Sequence, residues 1–249
     1  AAGYRVADSF GNTASSTVTI TVTPVTPIAS DDAGHTPFRT PVTVDVAGND
    51  TAGAPSAPLV PGSVVLDSPS ATDTGRTLVV AGEGTWAVNA DGSITFTPED
   101  GFSGPATPVG YRIADANGTT AAAGLAVTVG QPPVANPDLG STPQDVTVDV
   151  ALLDNDTPGT DGAGHPGTLT ASSVVFTAAA ATDAGRTLVV PGEGTYRIDP
   201  ATGTATFDPE PAFTGTTTPV AYRMTDGFGH AADSTLTVTV AAITPAAED

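Results

Sequence analysis

GEGTWAVNADGSITFTPEDGFSG (residues 82–104) carries the sole tryptophan of the chain among several acids. Alone, it suits a carbohydrate site, with Trp86 stacking on a sugar and Glu83, Glu99 and Asp100 as paired carboxylates. The chain spells a close copy at 192–215, GEGTYRIDPATGTATFDPEPAFTG. Alternation puts Trp86 and Val88 on one strand face, with Ile94 and Phe96 across the turn NADG. The copy has Tyr196, Ile198 and Phe207 in the corresponding places. An aromatic in an apolar row that exchanges Trp for Tyr reads as core. The acids, set beside Gly and Pro, read as turn chemistry, and so do Glu193, Asp208 and Glu210 in the copy.

Working outward, TGRTLVVAGEGTW (74–86) matches AGRTLVVPGEGTY (184–196), and TPVGYRIADANG (107–118) matches TPVAYRMTDGFG (218–229). A third version of the last element, GYRVADSFG, stands at 3–11. Tyr4, Tyr111 and Tyr222 mark the three versions. Each is followed by a turn with Asp at its first position and Gly at its fourth: Asp8 and Gly11, Asp115 and Gly118, Asp226 and Gly229. That pattern fits a type I turn, the Asp accepting from the backbone and the Gly taking positive φ. Fixed-period self-similarity of this kind marks an array. One repeat is expected over 25–130 and a second over 131–241. Residues 1–24 are expected to be the terminal strand pair of a preceding copy, and 242–249 the opening of a following one.

Each repeat reads as about seven short strands, in the first copy near 41–46, 63–67, 76–80, 84–89, 93–98, 108–114 and 121–129. Alternating runs such as STVTITVTP, with 28 Gly and 23 Pro for turns, support that reading. The expected fold is all-β: tandem antiparallel β-sandwiches of immunoglobulin-like type. Aromatics make up only 5 % of the chain, so aliphatic residues must fill most of the core.

The net charge of −20 is the wrong sign for a nucleic-acid partner. The chain has no Cys and no Lys, which excludes disulfides, thiol and Schiff-base chemistry, and Lys–Asn isopeptide links. No apolar run is long enough to span a bilayer. No nucleotide fingerprint or nucleophile motif occurs, and an active site copied into every repeat would be unusual, so no enzyme is expected. His35, His165 and His230 sit at different places relative to the repeat and share no ligand spacing. The one ligand candidate is calcium, in LLDNDTPGTDGAG (152–164), where Asp154, Asn155, Asp156 and Asp161 offer hard oxygens in a Gly-rich loop. Asp31, Asp32 and Asp138 stand near the repeat boundaries.

The ordered set VTVDV, ND, GRTLVVPGEGTY, ATGTATFDPEPAFTG and TPVAYRMTDGFGH resembles the CshA-type fibril repeat of Gram-positive cell-surface adhesins. The resemblance covers nearly the whole chain. It implies β-sandwich beads strung into a surface fibril, with adhesion performed by a separate region and no catalytic residue in the repeats. It also implies an extracellular stalk, anchored to the cell wall by another part of the parent protein. Partners would be neighbouring repeats and homotypic fibril contacts. The Lys-free, Ala- and Thr-rich composition is that of a high-GC genome such as an actinobacterium. Two other readings are an adhesive repeat binding glycan or matrix, which needs exposed aromatics or a groove in each copy, and a subunit of a self-assembling surface filament.

Overall fold

In the computed structural model, which describes residues 1–22 and 25–243, the quoted stretch is a hairpin at the centre of a packed sheet. Thr23, Pro24 and the expected opening of a following copy at 244–249 lie outside the described residues. Strand β7 (Gly84–Val88) pairs antiparallel with β8 (Ile94–Pro98), setting Trp86 opposite Phe96. On the other side β6 (Thr77–Val80) sets Leu78 opposite Trp86. The Trp86 and Phe96 rings stack with centroids 4.5 Å apart, and both side chains are fully buried. Gly84 faces this stack: a Cβ there would overlap the Thr97 carbonyl oxygen and the Phe96 ring. The second copy repeats the arrangement with Tyr196, Phe207 and Gly194.

The chain is all-β, with 49 % of residues in strands and 2 % in helices. In the first unit, β4 (Val42–Val44), β8, β7 and β6 make one four-stranded sheet, in that order. The facing sheet has the order β3 (Asp32–Thr36), β11 (Thr120–Val129), β10 (Val109–Asp115), β5 (Leu59–Leu66), and the short β9 (Gly104–Pro105) pairs with β11. The second unit has the same two sheets. One is β13 (Val148–Ala151), β17 (Thr204–Pro209), β16 (Gly194–Ile198), β15 (Thr187–Val190). The other is β12 (Asp138–Pro143), β20 (Ala231–Ala241), β19 (Val220–Thr225), β14 (Val175–Phe176), with β18 (Gly215–Thr216) pairing with β20. Each unit buries its own apolar cluster between its two sheets, and the chain is a tandem of immunoglobulin-like sandwiches.

Two differences from the sequence reading have physical causes. Strands β3 and β12 were not anticipated because their inward positions are Asp32, Gly34 and Thr36, and Asp138, Gly140 and Thr142, which carry no apolar alternation. The glycines are required there: a Cβ on Gly34 would press on Val44, and one on Gly140 on Val150. Both strands run parallel to the last strand of their unit. The strand expected at 63–67 runs Leu59–Leu66 in the first unit but shrinks to Val175–Phe176 in the second, where a longer loop replaces its beginning.

Ahead of both units, β1 (Ala2–Ala7) and β2 (Thr13–Val18) form a separate hairpin. Its turn has the geometry of the two later ones. In each, the Asp Oδ1 accepts from the backbone N–H groups two and four residues on, and the Gly N–H donates to the Asp carbonyl. Gly11, Gly118 and Gly229 take φ of 85°, 80° and 85°.

Trp86 reports on the first unit alone, because the chain has no other tryptophan. Trp86→Tyr is expected to fold and Trp86→Ala to lose about 3–5 kcal/mol, read by urea melts with circular dichroism. Gly84→Ala is expected to cost about 1–3 kcal/mol by overpacking, lowering the urea midpoint of the Trp86 fluorescence transition. An unchanged midpoint would show that the close approach at Gly84 is dispensable.

Candidate functional site

Trp86 and Tyr196 are both fully buried, so neither offers a surface to a sugar. The acids beside them have a definite task. Glu83, in the turn between β6 and β7, accepts from Thr107 N and Thr107 Oγ1, both at 2.7 Å. Thr107 lies just before β10, in the opposite sheet. Glu193 makes the same tie to Thr218 in the second unit. The carboxylate of each Gly-Glu-Gly turn therefore clamps one sheet to the other. Glu99 and Glu210 play a second matching part, accepting from Gly82 N and Gly192 N. Asp100 instead meets Arg39 in an exposed ion pair. The four glutamates are thus held by backbone N–H groups and threonine in turns.

At one pole of each unit the buried tyrosine meets a concentration of oxygens. The Tyr111 hydroxyl lies 2.9 Å from Asp32 Oδ2, 2.9 Å from the Val46 carbonyl, 3.2 Å from the Ser30 carbonyl and 3.4 Å from both Asp50 oxygens. The Tyr222 hydroxyl lies 2.7 Å from Asp138 Oδ2, 3.2 Å from the Leu152 carbonyl and 3.4 Å from the Asn136 carbonyl. A hydroxyl has a single proton to donate. Burial, opposed by the tyrosine hydrogen bond and reinforced by neighbouring carboxylates, pushes Asp138 up to about 6 and raises Asp32. Burial and the same carboxylates hold both tyrosines protonated. Tyr4, the third member of the series, is half-exposed in its hairpin and lacks such a nest among the described residues.

Of the residues singled out for calcium, Asp154, Asn155 and Asp156 lie at this pole and Asp161 does not. Asp156 accepts from Asn136 N at 2.7 Å through Oδ1. Asn155 donates to the Pro137 carbonyl, and Asp154 is exposed. Asp161 turns onto its own loop, accepting from Ala163 N and His165 N and facing His165 Nδ1 at 3.0 Å. These bonds hold its carboxyl below the usual range, the His165 side chain contributing most. Among the described residues, no three His, Cys, Asp or Glu side chains converge on one point. Sequence reasoning did not link Asp32, Asp50 and Asp138 to Tyr111 and Tyr222. The recurrence of DD or PD, ND and Tyr at similar spacing in both copies was the available signal.

The remaining built feature is the joint between the two units. Gln131, the first residue of the second unit, is tied to that unit's own loop, its N donating to Thr160 Oγ1 and its carbonyl accepting from Thr160 N, both at 2.9 Å, while Ser103 Oγ of the first unit donates to Gln131 Oε1 at 3.2 Å. Gly130 is buried against Thr160, and Gly162 against Thr128, so closely that a Cβ on either glycine would overlap a backbone carbonyl. His230 of the second unit packs edge-on against Phe38 of the first, ring centroids 5.6 Å apart. The loop that reaches across is anchored from below by the buried Asp226, whose Oδ2 accepts from Gly159 N.

Glu83→Ala is expected to destabilise the first unit by about 1–2 kcal/mol through loss of the inter-sheet tie. The midpoint of the Trp86 fluorescence transition in urea should fall by the corresponding amount. Glu193→Ala, in the other unit, should move that transition little. Equal effects of both variants on Trp86 would refute a tie local to each unit.

A family model described as the surface adhesin CshA repetitive domain matches residues 24–129 and 143–240. No curated protein matches the chain. Among solved structures, it is similar to the extracellular cadherin domains 1–4 of protocadherin gamma B7, at 11 % identity and a TM-score of 0.36, covering 88 % of this chain and 51 % of that one. It is similar to mouse cadherin-23 EC22-24 at 13 % identity and a TM-score of 0.34, covering 88 % and 65 %. Murine CEACAM1b gives 15 % identity and a TM-score of 0.27, covering 88 % and 99 %. The chain thus spans about half of the protocadherin structure and just under two thirds of the cadherin-23 one. The two family matches together cover most of the sequence, and the chain belongs to the family of surface adhesin CshA repetitive domains.

Proposed function

We propose that this chain is a stretch of extracellular stalk from a large bacterial surface adhesin, holding a binding region away from the cell. The units are taken as 25–130 and 131–241, and the β1–β2 hairpin as the terminal strand pair of another unit, since it repeats the Tyr–Asp–Gly pattern of β10–β11. The observation that carries the reading is the joint. Backbone at Gly130–Gln131 interlocks with Thr160–Gly162, which favours transmission of length over free pivoting. Units that touch only their neighbours add length in proportion to their number. The family supplies the surface setting and the adhesin context. A wall anchor elsewhere in the parent protein and a Gram-positive source follow from the same resemblance. No helix among the described residues is long and apolar enough to cross a membrane. The acidic surface, with a net charge of −20, keeps neighbouring stalks apart. An adhesive role for the repeats themselves would call for exposed aromatics or a groove in each copy; Trp86 and Tyr196 are buried, and the exposed Phe10 and Phe228 give way to Asn117 at the same turn position of the first unit.

The stalk reading is tested by solution scattering on chains with different numbers of units. Each added unit should extend the particle by about 35 Å, the length of a ten-residue strand. Gly130→Val should loosen the joint, broadening the distance distribution while leaving the Trp86 unfolding transition nearly unmoved. Binding of the isolated repeats to glycan or matrix panels would overturn the spacer role.

A further inference from the structure

The oxygen nest at each pole is short of positive charge. In the second unit the Tyr222 hydroxyl has a single proton and faces the Asp138 carboxyl and the carbonyls of Leu152 and Asn136. Asp156 adds to the excess. The residue is nine-tenths buried, Oδ1 is satisfied by Asn136 N, and Oδ2 is enclosed with no hydrogen-bond partner. That oxygen belongs to the carboxyl whose charge acts on both Asp138 and Tyr222. A buried carboxylate oxygen without a partner is expensive unless a proton or a cation compensates it. The side-chain groups that act on these carboxyls to favour their charge are neutral donors, Tyr222 and Asn155 on Asp138 and Tyr222 on Asp156. The nearest arginine on β19, Arg223, is committed to Asp233 on the outer face.

We infer that the pole of the second unit is a binding site for a hard divalent cation of the calcium type, ligated by Asp138, Asp156 and the Leu152 carbonyl. The first unit lacks the enclosed free oxygen: Asp50 Oδ1 accepts from Ser30 N, and both Asp50 oxygens face the Tyr111 hydroxyl. The donors are all oxygen, two carboxylates with neutral carbonyls, which suits calcium and excludes soft or nitrogen-seeking metals. Water would complete the coordination from the exposed Asp154 side. The ion would join three segments at the point where the chain enters the unit: the stretch before β12, the loop after β13, and β19. The site differs from the loop set read from sequence in two ways: it takes in Asp138 from before the loop and leaves out Asp161. It does not rest on the stalk reading, since a cation could fasten the entry segment whatever the units do.

The wild-type chain, stripped with chelator, supplies a test that no variant's folding can spoil. Terbium at the nest would lie against Tyr222 and emit on tyrosine excitation. Calcium in excess should quench that emission by competition. Calorimetry should show the unfolding midpoint of the second unit raised by about 10–15 °C at calcium a hundred-fold above its dissociation constant. Asp138→Asn and Asp156→Asn should abolish the calcium-induced shift of the second unit, each variant's midpoint being compared with and without the ion. Coincident midpoints with calcium and with chelator, or terbium emission absent from the wild type, would overturn the site and leave a proton shared between the carboxyls as the compensating charge.

Discussion

Each unit depends on one aromatic stack that needs a bare backbone beside it. The chain has few aromatics to spend on two cores, and it places a cross-strand pair at the centre of each: Trp86 on Phe96, and Tyr196 on Phe207. Gly84 and Gly194 let the neighbouring strand close onto the phenylalanine. The residue between the two turn glycines is then the one side chain the turn can use, and it is a glutamate that crosses to the other sheet. Bare backbone, inter-sheet tie and ring stack are thus packed into Gly-Glu-Gly-Thr-Trp or Gly-Glu-Gly-Thr-Tyr. Either aromatic serves, because the ring is held by stacking and the polar atom of each, Nε1 or the hydroxyl, is buried without a partner.

Comparing the two copies made the core legible in the sequence. Alternation identified Trp86, Ile94 and Phe96, and the Asp-to-Gly spacing identified the hairpin turns. Strands β3 and β12 escaped because their inward residues are Asp, Gly and Thr: the pole needs a carboxylate and the tight approach to β4 or β13 needs no side chain. Hydrophobic periodicity cannot report a strand whose buried face is polar or empty. The oxygen nests escaped for a related reason. Their members are far apart in the chain, and Tyr111 and Tyr222 read as ordinary core tyrosines until the fold brings the acids to them. Glu83 and Glu193 read as solvated turn acids because nothing local in the sequence names Thr107 or Thr218 as a partner.

The copies share a core and differ at their ends. The loop running from Thr160 to Leu169 replaces the shorter stretch from Ala54 to Leu59, and it is this loop that reaches the preceding unit. Asp226 holds it through Gly159 N, while the matching Asp115 keeps a buried Oδ2 with no partner. Gly130, which the joint requires, corresponds to Ala241 at the end of the second unit, and Phe38 corresponds to Gln144. The joint between these two units is therefore built in part from residues, Gly130 and Phe38, that the second unit replaces by Ala241 and Gln144.

The parallel pairing of first and last strands has a mechanical consequence. In the first unit the chain enters through β3 and leaves through β11, which lie side by side and point the same way. Tension applied to the two ends drags these strands past each other along their length. Their ladder, from Asp32 opposite Leu125 to Thr36 opposite Val129, is then loaded in shear, with its hydrogen bonds sharing the force and breaking together instead of one by one. In the second unit the ladder is longer, from Asp138 opposite Leu236 to Pro143 opposite Ala241. In both units the same geometry places an end-to-end load on this one parallel ladder before it reaches the packed core.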